Sequence, residues 1–152
     1  MPGTSQPLIV GVGNDLRGDD GVGPFVAEAL AAEGLAAHVH AGDGTGIMDL
    51  FEAHDAIILI DATRSGSAPG TLIVLDAIAD RLPADLFHYS THRFGLAEAV
   101  ETARALSTLP KSLQVYGIEG ADFSAGDRLS PAVRETAEKL IARIAETLPK
   151  NC

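Results

Sequence analysis

Residues Leu8-Ile-Val-Gly-Val-Gly13 form a short apolar run with β-branched side chains that ends in glycine. Such a run is typical of a strand that is buried on both faces of a parallel sheet. A polar loop follows, and from Gly23 to Glu33 apolar side chains recur at helical spacing until Gly34 ends the pattern. This part of the chain therefore predicts a strand, a loop and a helix, the repeating unit of an α/β fold.

The same unit recurs along the rest of the chain. We predict further strands near Ala37–Ala41, Ala56–Ile60, Gly70–Leu75 and Ser112–Ile118, and helices near Ile47–Glu52, near Gly95–Leu106 and after a Ser130 cap. The strand at 70–75 follows its predecessor after too short a connection for a parallel crossover, so it should run antiparallel to its neighbour. We expect an α/β three-layer sandwich in one domain, residues 1–152, whose five-stranded, mostly parallel sheet has one antiparallel strand and helices on both faces.

Composition excludes several classes of function. The formal net charge of −10 argues against nucleic acid as a partner, because binding to phosphates depends on clustered lysine and arginine. The only cysteine is Cys152, which leaves no intramolecular disulfide and no thiolate metal cluster. We see neither a membrane-spanning apolar run nor a secretory signal, and so expect a cytoplasmic protein.

Acidic side chains follow the first three predicted strands. Asp19 and Asp20 come after the first strand, Asp43 after the second and Asp61 directly after the third. His92 lies in a loop that leads into a helix. Because the carboxyl ends of parallel strands and the helix N-termini meet at one edge of such a sheet, we expect these residues to gather there.

Two carboxylates and an imidazole suit a borderline divalent metal such as nickel or zinc, and a cation would relieve the repulsion between the acids. Other roles remain open at this point. Asp19 or Asp20 could cap the helix that starts near Val22, and Asp61 could simply form a turn. His92 could be a structural or surface histidine.

Three well-known catalytic and binding motifs are absent. The pair Gly11-Val-Gly13 is not a dinucleotide fingerprint, because Leu16 occupies the position of the third glycine and two acids stand where a pyrophosphate would bind. The chain has no phosphate-binding loop and no nucleophile elbow. A triad of Ser90, His92 and Asp61 can be written down, but the spacing of these residues does not support it.

Five segments resemble the hydrogenase maturation proteases, in the same order along the chain. Gly11–Gly23 is similar to the family's N-terminal motif, in which G-x-G-N leads to an acidic pair. Ile60–Ala62 resembles its second metal-ligand segment, Ala68–Thr71 its turn into the next strand, and Ser90–Leu96 its S-x-H-x-x-G-L segment. Leu129–Val133 also fits.

The resemblance implies an endopeptidase that removes a C-terminal extension from a nickel-iron hydrogenase large-subunit precursor after nickel insertion. Asp20, Asp61 and His92 match the family's metal-contacting positions, which makes them the expected metal-binding and catalytic residues. The precursor would supply the nickel, which serves as the recognition element. We expect no permanently bound metal, no membrane partner and a monomer.

Two further points bear on the site. The order Gly42-Asp-Gly-Thr45 departs from the D-G-G-T of many relatives, which makes a substrate-facing role for Asp43 doubtful. The segment Gly117–Gly120 varies among relatives and is our candidate for recognition of the particular large subunit.

The alternatives to a maturation protease are a non-cleaving, nickel-dependent assembly checkpoint or metal-binding module, and a broad-specificity metallopeptidase that binds its metal tightly.

Overall fold

Strands and helices alternate along the chain in the computed structural model, which describes residues 6–83, 85–87 and 93–148. The strands are β1 (Leu8–Val12), β2 (Ala37–His40), β3 (Ala56–Thr63), β4 (Leu72–Asp76) and β5 (Ser112–Glu119). The helices are α1 (Val22–Ala32), α2 (Gly44–Ala53), α3 (Leu96–Ala105) and α4 (Pro131–Thr147), and a 3₁₀ turn, Gly18–Gly21, precedes α1. The predictions for Ser90, His92 and Cys152 lie outside the described residues. Within those residues, no helix is both long and apolar enough to cross a bilayer.

The five strands form one sheet in the order β2-β1-β3-β5-β4. β1 pairs in parallel with β2 and β3, and β3 pairs in parallel with β5. β4 runs antiparallel to β5 at the edge of the sheet. This confirms the predicted mixed sheet with one antiparallel strand.

Side chains of β3 alternate between two hydrophobic clusters, one on each face of the sheet. Ile57 and Leu59 pack in the cluster that includes residues of α2 and α3. Ile58 and Ile60 pack in the cluster that includes residues of α1 and α4. The three-layer sandwich is therefore confirmed. Because successive side chains of a strand point to opposite faces, Asp61 follows Ile57 and Leu59 onto the face of α2 and α3.

The first turn of α1 lies directly against the carboxyl ends of β1 and β3. A Cβ atom on Gly23 would lie 2.5 Å from the carbonyl oxygen of Ile60 and would also clash with that of Val12. Only glycine permits such an approach of helix to strand. The glycines of the N-terminal motif thus bring the acidic loop close to the edge of the sheet.

Two element boundaries differ from the prediction by three residues, and the others by at most two. β3 continues past Ile60 to Thr63, because Asp61–Thr63 pair with Gly117–Glu119 of β5. Asp61 is therefore part of the strand and not the turn former that we had considered. α2 begins at Gly44, three residues before the predicted start, because the carboxylate of Asp43 accepts a hydrogen bond from the backbone N–H of Gly46 (2.9 Å) and caps the helix.

Candidate functional site

Asp20 and Asp61 are the predicted site residues that the structure brings together. Asp61 is only 8% exposed, and burial raises its pKa well above the ordinary value. The negative charge of Asp20 raises the pKa of Asp61 further, against one hydrogen bond from the backbone N–H of Ala62 (2.8 Å). Burial also raises the pKa of Asp20, although a hydrogen bond from Asn14 N–H (2.9 Å) and the positive charge of Arg17 oppose this.

This acid pair is poorly suited to carrying two negative charges. A proton on one carboxyl or a cation beside both would relieve the repulsion, and carboxylate oxygens are suitable ligands for a divalent metal. Within the described residues, no group of three His, Cys, Asp or Glu side chains is arranged to hold a metal ion. Asp20 and Asp61 thus supply two donors, and the assignment of His92 as the third stays a prediction.

The described residues on either side of segment 88–92 pack at the carboxyl end of the sheet. Phe87 is buried beside Gly117, the residue of β5 that pairs with Asp61. The carbonyl oxygen of Phe94 accepts a hydrogen bond from the N–H of Gly44 (2.7 Å), and its ring covers that first residue of α2. Both phenylalanines therefore lie near the carboxyl ends of the parallel strands.

Asp19 is fully buried and turned toward the segment that follows β5. Its carboxylate accepts hydrogen bonds from the N–H groups of Ala121 (2.7 Å), Asp122 (2.9 Å) and Ser130 (2.7 Å), and from the Ser130 hydroxyl (2.7 Å). The possibility that Asp19 or Asp20 caps α1 is wrong, because the N-cap of that helix is a glycine without a side-chain cap. Ser130 is at the N-cap position of α4 as predicted, but its hydroxyl bonds to Asp19 and not to the helix.

Asp43 and His40 stabilise the turn between β2 and α2. The Asp43 carboxylate caps α2, and the Nδ1 atom of His40 accepts a hydrogen bond from Gly42 N–H (2.9 Å). These bonds give Asp43 a structural role, which agrees with our doubt about a substrate-facing one. His40 likewise has a structural role in this turn.

Glu119 is a buried carboxylate that the sequence did not single out for a structural role. It accepts hydrogen bonds from the Thr63 hydroxyl (2.8 Å), from the N–H and hydroxyl of Ser65 (3.0 and 2.8 Å) and from Gly66 N–H (3.1 Å). Burial opposes ionisation of Glu119, but these hydrogen bonds together lower its pKa. Glu119 therefore fixes the turn that follows β3. Recognition of a particular large subunit by 117–120 stays a prediction.

A cleft of about 370 Å³ opens at the loop that carries Arg17. It is lined by Arg17, Arg64 and residues 121–124. Arg17 is the residue whose charge acts on Asp20, and Arg64 follows β3 shortly after Asp61. Neither arginine was a candidate from the sequence, because nothing local indicates that loops distant from each other in the chain form one cleft.

The fold is that of known maturation proteases. The NiFe hydrogenase maturation protease HybD from Thermococcus kodakarensis superposes with a TM-score of 0.73 at 24% identity, covering 95% of this chain and 100% of that one. The HycI protease of the same organism gives a TM-score of 0.71 at 26% identity, covering 95% of this chain and 93% of that one.

Sequence comparison identifies the family. The family model HycI, hydrogenase maturation protease, matches residues 27–147. The Hydrogenase 2 maturation protease of Escherichia coli K12 is 32% identical, over 95% of this chain and 91% of its own. The chain belongs to the hydrogenase maturation protease family and is a peptide hydrolase. This confirms the resemblance and favours cleavage over a non-cleaving metal-binding module.

Proposed function

We propose that this protein removes the C-terminal extension of a nickel-iron hydrogenase large-subunit precursor once nickel is in place. Its relatives include a hydrogenase 2 maturation protease and a NiFe hydrogenase maturation protease, which supports such a substrate. Nickel belongs to the precursor and is the feature recognised. The protein acts as a cytoplasmic monomer without a metal of its own.

The observation that carries this proposal is the acid pair. Two carboxylates, one of them buried, lie close enough for the charge of Asp20 to raise the pKa of Asp61. Two ionised carboxylates in this arrangement repel each other and would attract a cation, so a precursor that carries nickel would bind better than one that does not. The protein can thus distinguish the two precursors without a resident metal.

We assign the third metal contact to His92. The segment around it matches the family's histidine motif, and its described neighbours support the assignment. Phe87 packs beside the strand position that pairs with Asp61, and Phe94 covers the start of α2. An imidazole nitrogen with two carboxylate oxygens is a suitable donor set for nickel.

Peptide hydrolysis needs a water molecule to attack the scissile carbonyl and a proton to reach the departing amine. The oxygen of water bonds to the carbonyl carbon, and the C–N bond breaks as the amine takes the proton. The attacking water loses that proton, and a carboxylate oxygen of the acid pair that does not bind nickel would take it and pass it to the amine. Nickel held by the same residues would fix the scissile bond in position and polarise the reacting groups.

Isosteric substitutions at the acid pair test this proposal. We expect Asp20→Asn, Asp61→Asn and His92→Ala to slow single-turnover cleavage of nickel-loaded precursor about 100-fold or more, because each removes a metal contact. Cleavage is followed by intact mass. Thermal unfolding should show that Asp61→Asn is at least as stable as the wild type, because the substitution removes a buried charge from a repulsive pair.

Asp55→Asn is the matched control. Asp55 precedes β3, at the opposite edge of the sheet, and its side chain is exposed beside Lys111. This variant should cleave at the wild-type rate. Wild-type rates for Asp61→Asn and His92→Ala would show that the site is elsewhere.

A further inference from the structure

Two loops held together by backbone hydrogen bonds form the walls of the arginine-lined cleft. Arg17 forms a β-bridge with Gly126, and Gly18 N–H donates to the Gly126 carbonyl (2.8 Å). Asp19 N–H donates to the Asp122 carbonyl (2.8 Å), and the buried Asp19 carboxylate binds the N–H groups of residues 121 and 122. The cleft is therefore part of the folded framework.

The lining of the cleft combines two guanidinium groups with one aromatic ring. The Cζ atom of Arg64 lies 5.6 Å from the centre of the Phe123 ring, which holds this long side chain against a buried surface. Arg17 also lines the cleft, and its positive charge acts on Asp20. The one acid of the lining, Asp122, accepts hydrogen bonds from the N–H (2.9 Å) and hydroxyl (2.6 Å) of Ser124.

The cleft contrasts in charge with the rest of the molecule. The chain has 11 lysines and arginines against 21 acids, so most of its surface repels an anion. Two arginines and one acid, Asp122, line the cleft, which gives it a local excess of positive charge near Asp20. Guanidinium groups bind carboxylates through paired, charge-assisted hydrogen bonds, which gives both strength and orientation.

We propose that this cleft binds a carboxylate of the C-terminal extension, with Arg17 and Arg64 as its partners. The inference rests on the proposed function, because it assigns the place where the segment to be removed is held. Contact at the cleft would position the extension while the acid pair contacts nickel. The carboxylate comes either from an acidic side chain of the extension or from its C-terminus.

Peptide binding tests this proposal separately from cleavage. The probe is a fluorescent synthetic peptide with the sequence of the precursor's C-terminal segment, without nickel, and fluorescence anisotropy measures its dissociation constant. Two altered peptides distinguish the sources of the carboxylate: one has a C-terminal amide, and the other has Asn and Gln in place of its acids. We expect one of them to bind about 10-fold more weakly than the original.

Arg64→Glu should weaken binding of the original peptide by about 10-fold or more, and Arg64→Lys by less. Arg134→Glu is the matched control, because Arg134 also lies over a phenylalanine ring, Phe25 at 5.5 Å, but on α4 and outside the cleft. It should bind like the wild type. The proposal would be overturned if Arg64→Glu bound the original peptide as tightly as the wild type does. It would also be overturned if all three peptides bound equally well, or if the wild type did not bind the original peptide at millimolar concentration.

The same assay separates failure of this inference from failure of the proposed function. Asp61→Asn should keep its peptide binding although it loses cleavage. If Asp61→Asn still cleaves nickel-loaded precursor while Arg64→Glu no longer binds the peptide, the assignment of the cleft is supported and the assignment of the metal site is wrong. If Asp61→Asn loses cleavage while Arg64→Glu still binds the peptide like the wild type, the assignment of the cleft is wrong and the assignment of the acid pair stands.

Discussion

Three buried carboxylates near the edge of the sheet differ in what surrounds them. Asp19 and Glu119 each accept several hydrogen bonds and act as structural anchors. Within the part of the chain that the structure describes, Asp61 accepts a single hydrogen bond, from the N–H of its neighbour, and its pKa is raised by the charge of Asp20. Reactive groups differ from structural ones in this way, because a structural anchor has its charge compensated in the folded protein.

Asp19→Asn should lower the free energy of unfolding by about 2–3 kcal/mol, because an amide NH₂ would face backbone donors that the carboxylate now satisfies. Urea denaturation measures the change. The matched control is Asp15→Asn, an exposed residue of the same loop, for which we expect a change within about 0.5 kcal/mol. Equal stability of the two variants would contradict the anchoring role of Asp19.

Local sequence could not assign these roles. Asp19 is followed by the start of a helix, so a capping role was reasonable, but its partners are 102 to 111 residues further along the chain. The hydrogen bonds of Glu119 likewise join β5 to a turn more than fifty residues earlier. The positions of Asp20 and Asp61 were predictable, because they depend only on which ends of the strands meet.

At the scale of elements, periodicity predicted every strand and α-helix of the described residues. Some of their ends were misplaced, because a helix cap or strand pairing determines where those elements begin or end. α2 starts early because Asp43 caps it, and β3 runs on because β5 is there to pair with it. Neither cause is visible in the hydrophobic pattern. The contact of α1 with two strands is a further such feature, and it depends on Gly23.

Gly23→Ala tests that contact, because two effects of opposite sign compete. Alanine favours a helix over glycine by about 1 kcal/mol. The new Cβ, however, would lie 2.5 Å from the Ile60 carbonyl oxygen, and relieving such an overlap costs about 1–3 kcal/mol or more. We expect a net loss of stability in urea, whereas Glu28→Ala, an exposed change in the same helix, should have little effect. A stabilised Gly23→Ala protein would contradict the close packing.

At the scale of the whole molecule, the sheet order brings together residues that are distant in sequence. β1 and β3 are neighbours at the centre, so the loop after β1 reaches the carboxyl end of β3 and places Asp20 beside Asp61. The segment after β5 completes the adjoining cleft. The acid pair and the arginine-lined cleft thus share the segment between β1 and α1, which supplies Asp20 to the one and Arg17 to the other.

The most direct test of nickel-dependent processing is the intact mass of the precursor after incubation with this protein, with nickel inserted and without it. We predict loss of the C-terminal extension from the nickel-loaded precursor alone, because nickel held in the precursor would bind the carboxylates of Asp20 and Asp61 and give that precursor the higher affinity. Equal cleavage of both precursors, or unchanged mass of the nickel-loaded one, would contradict this role.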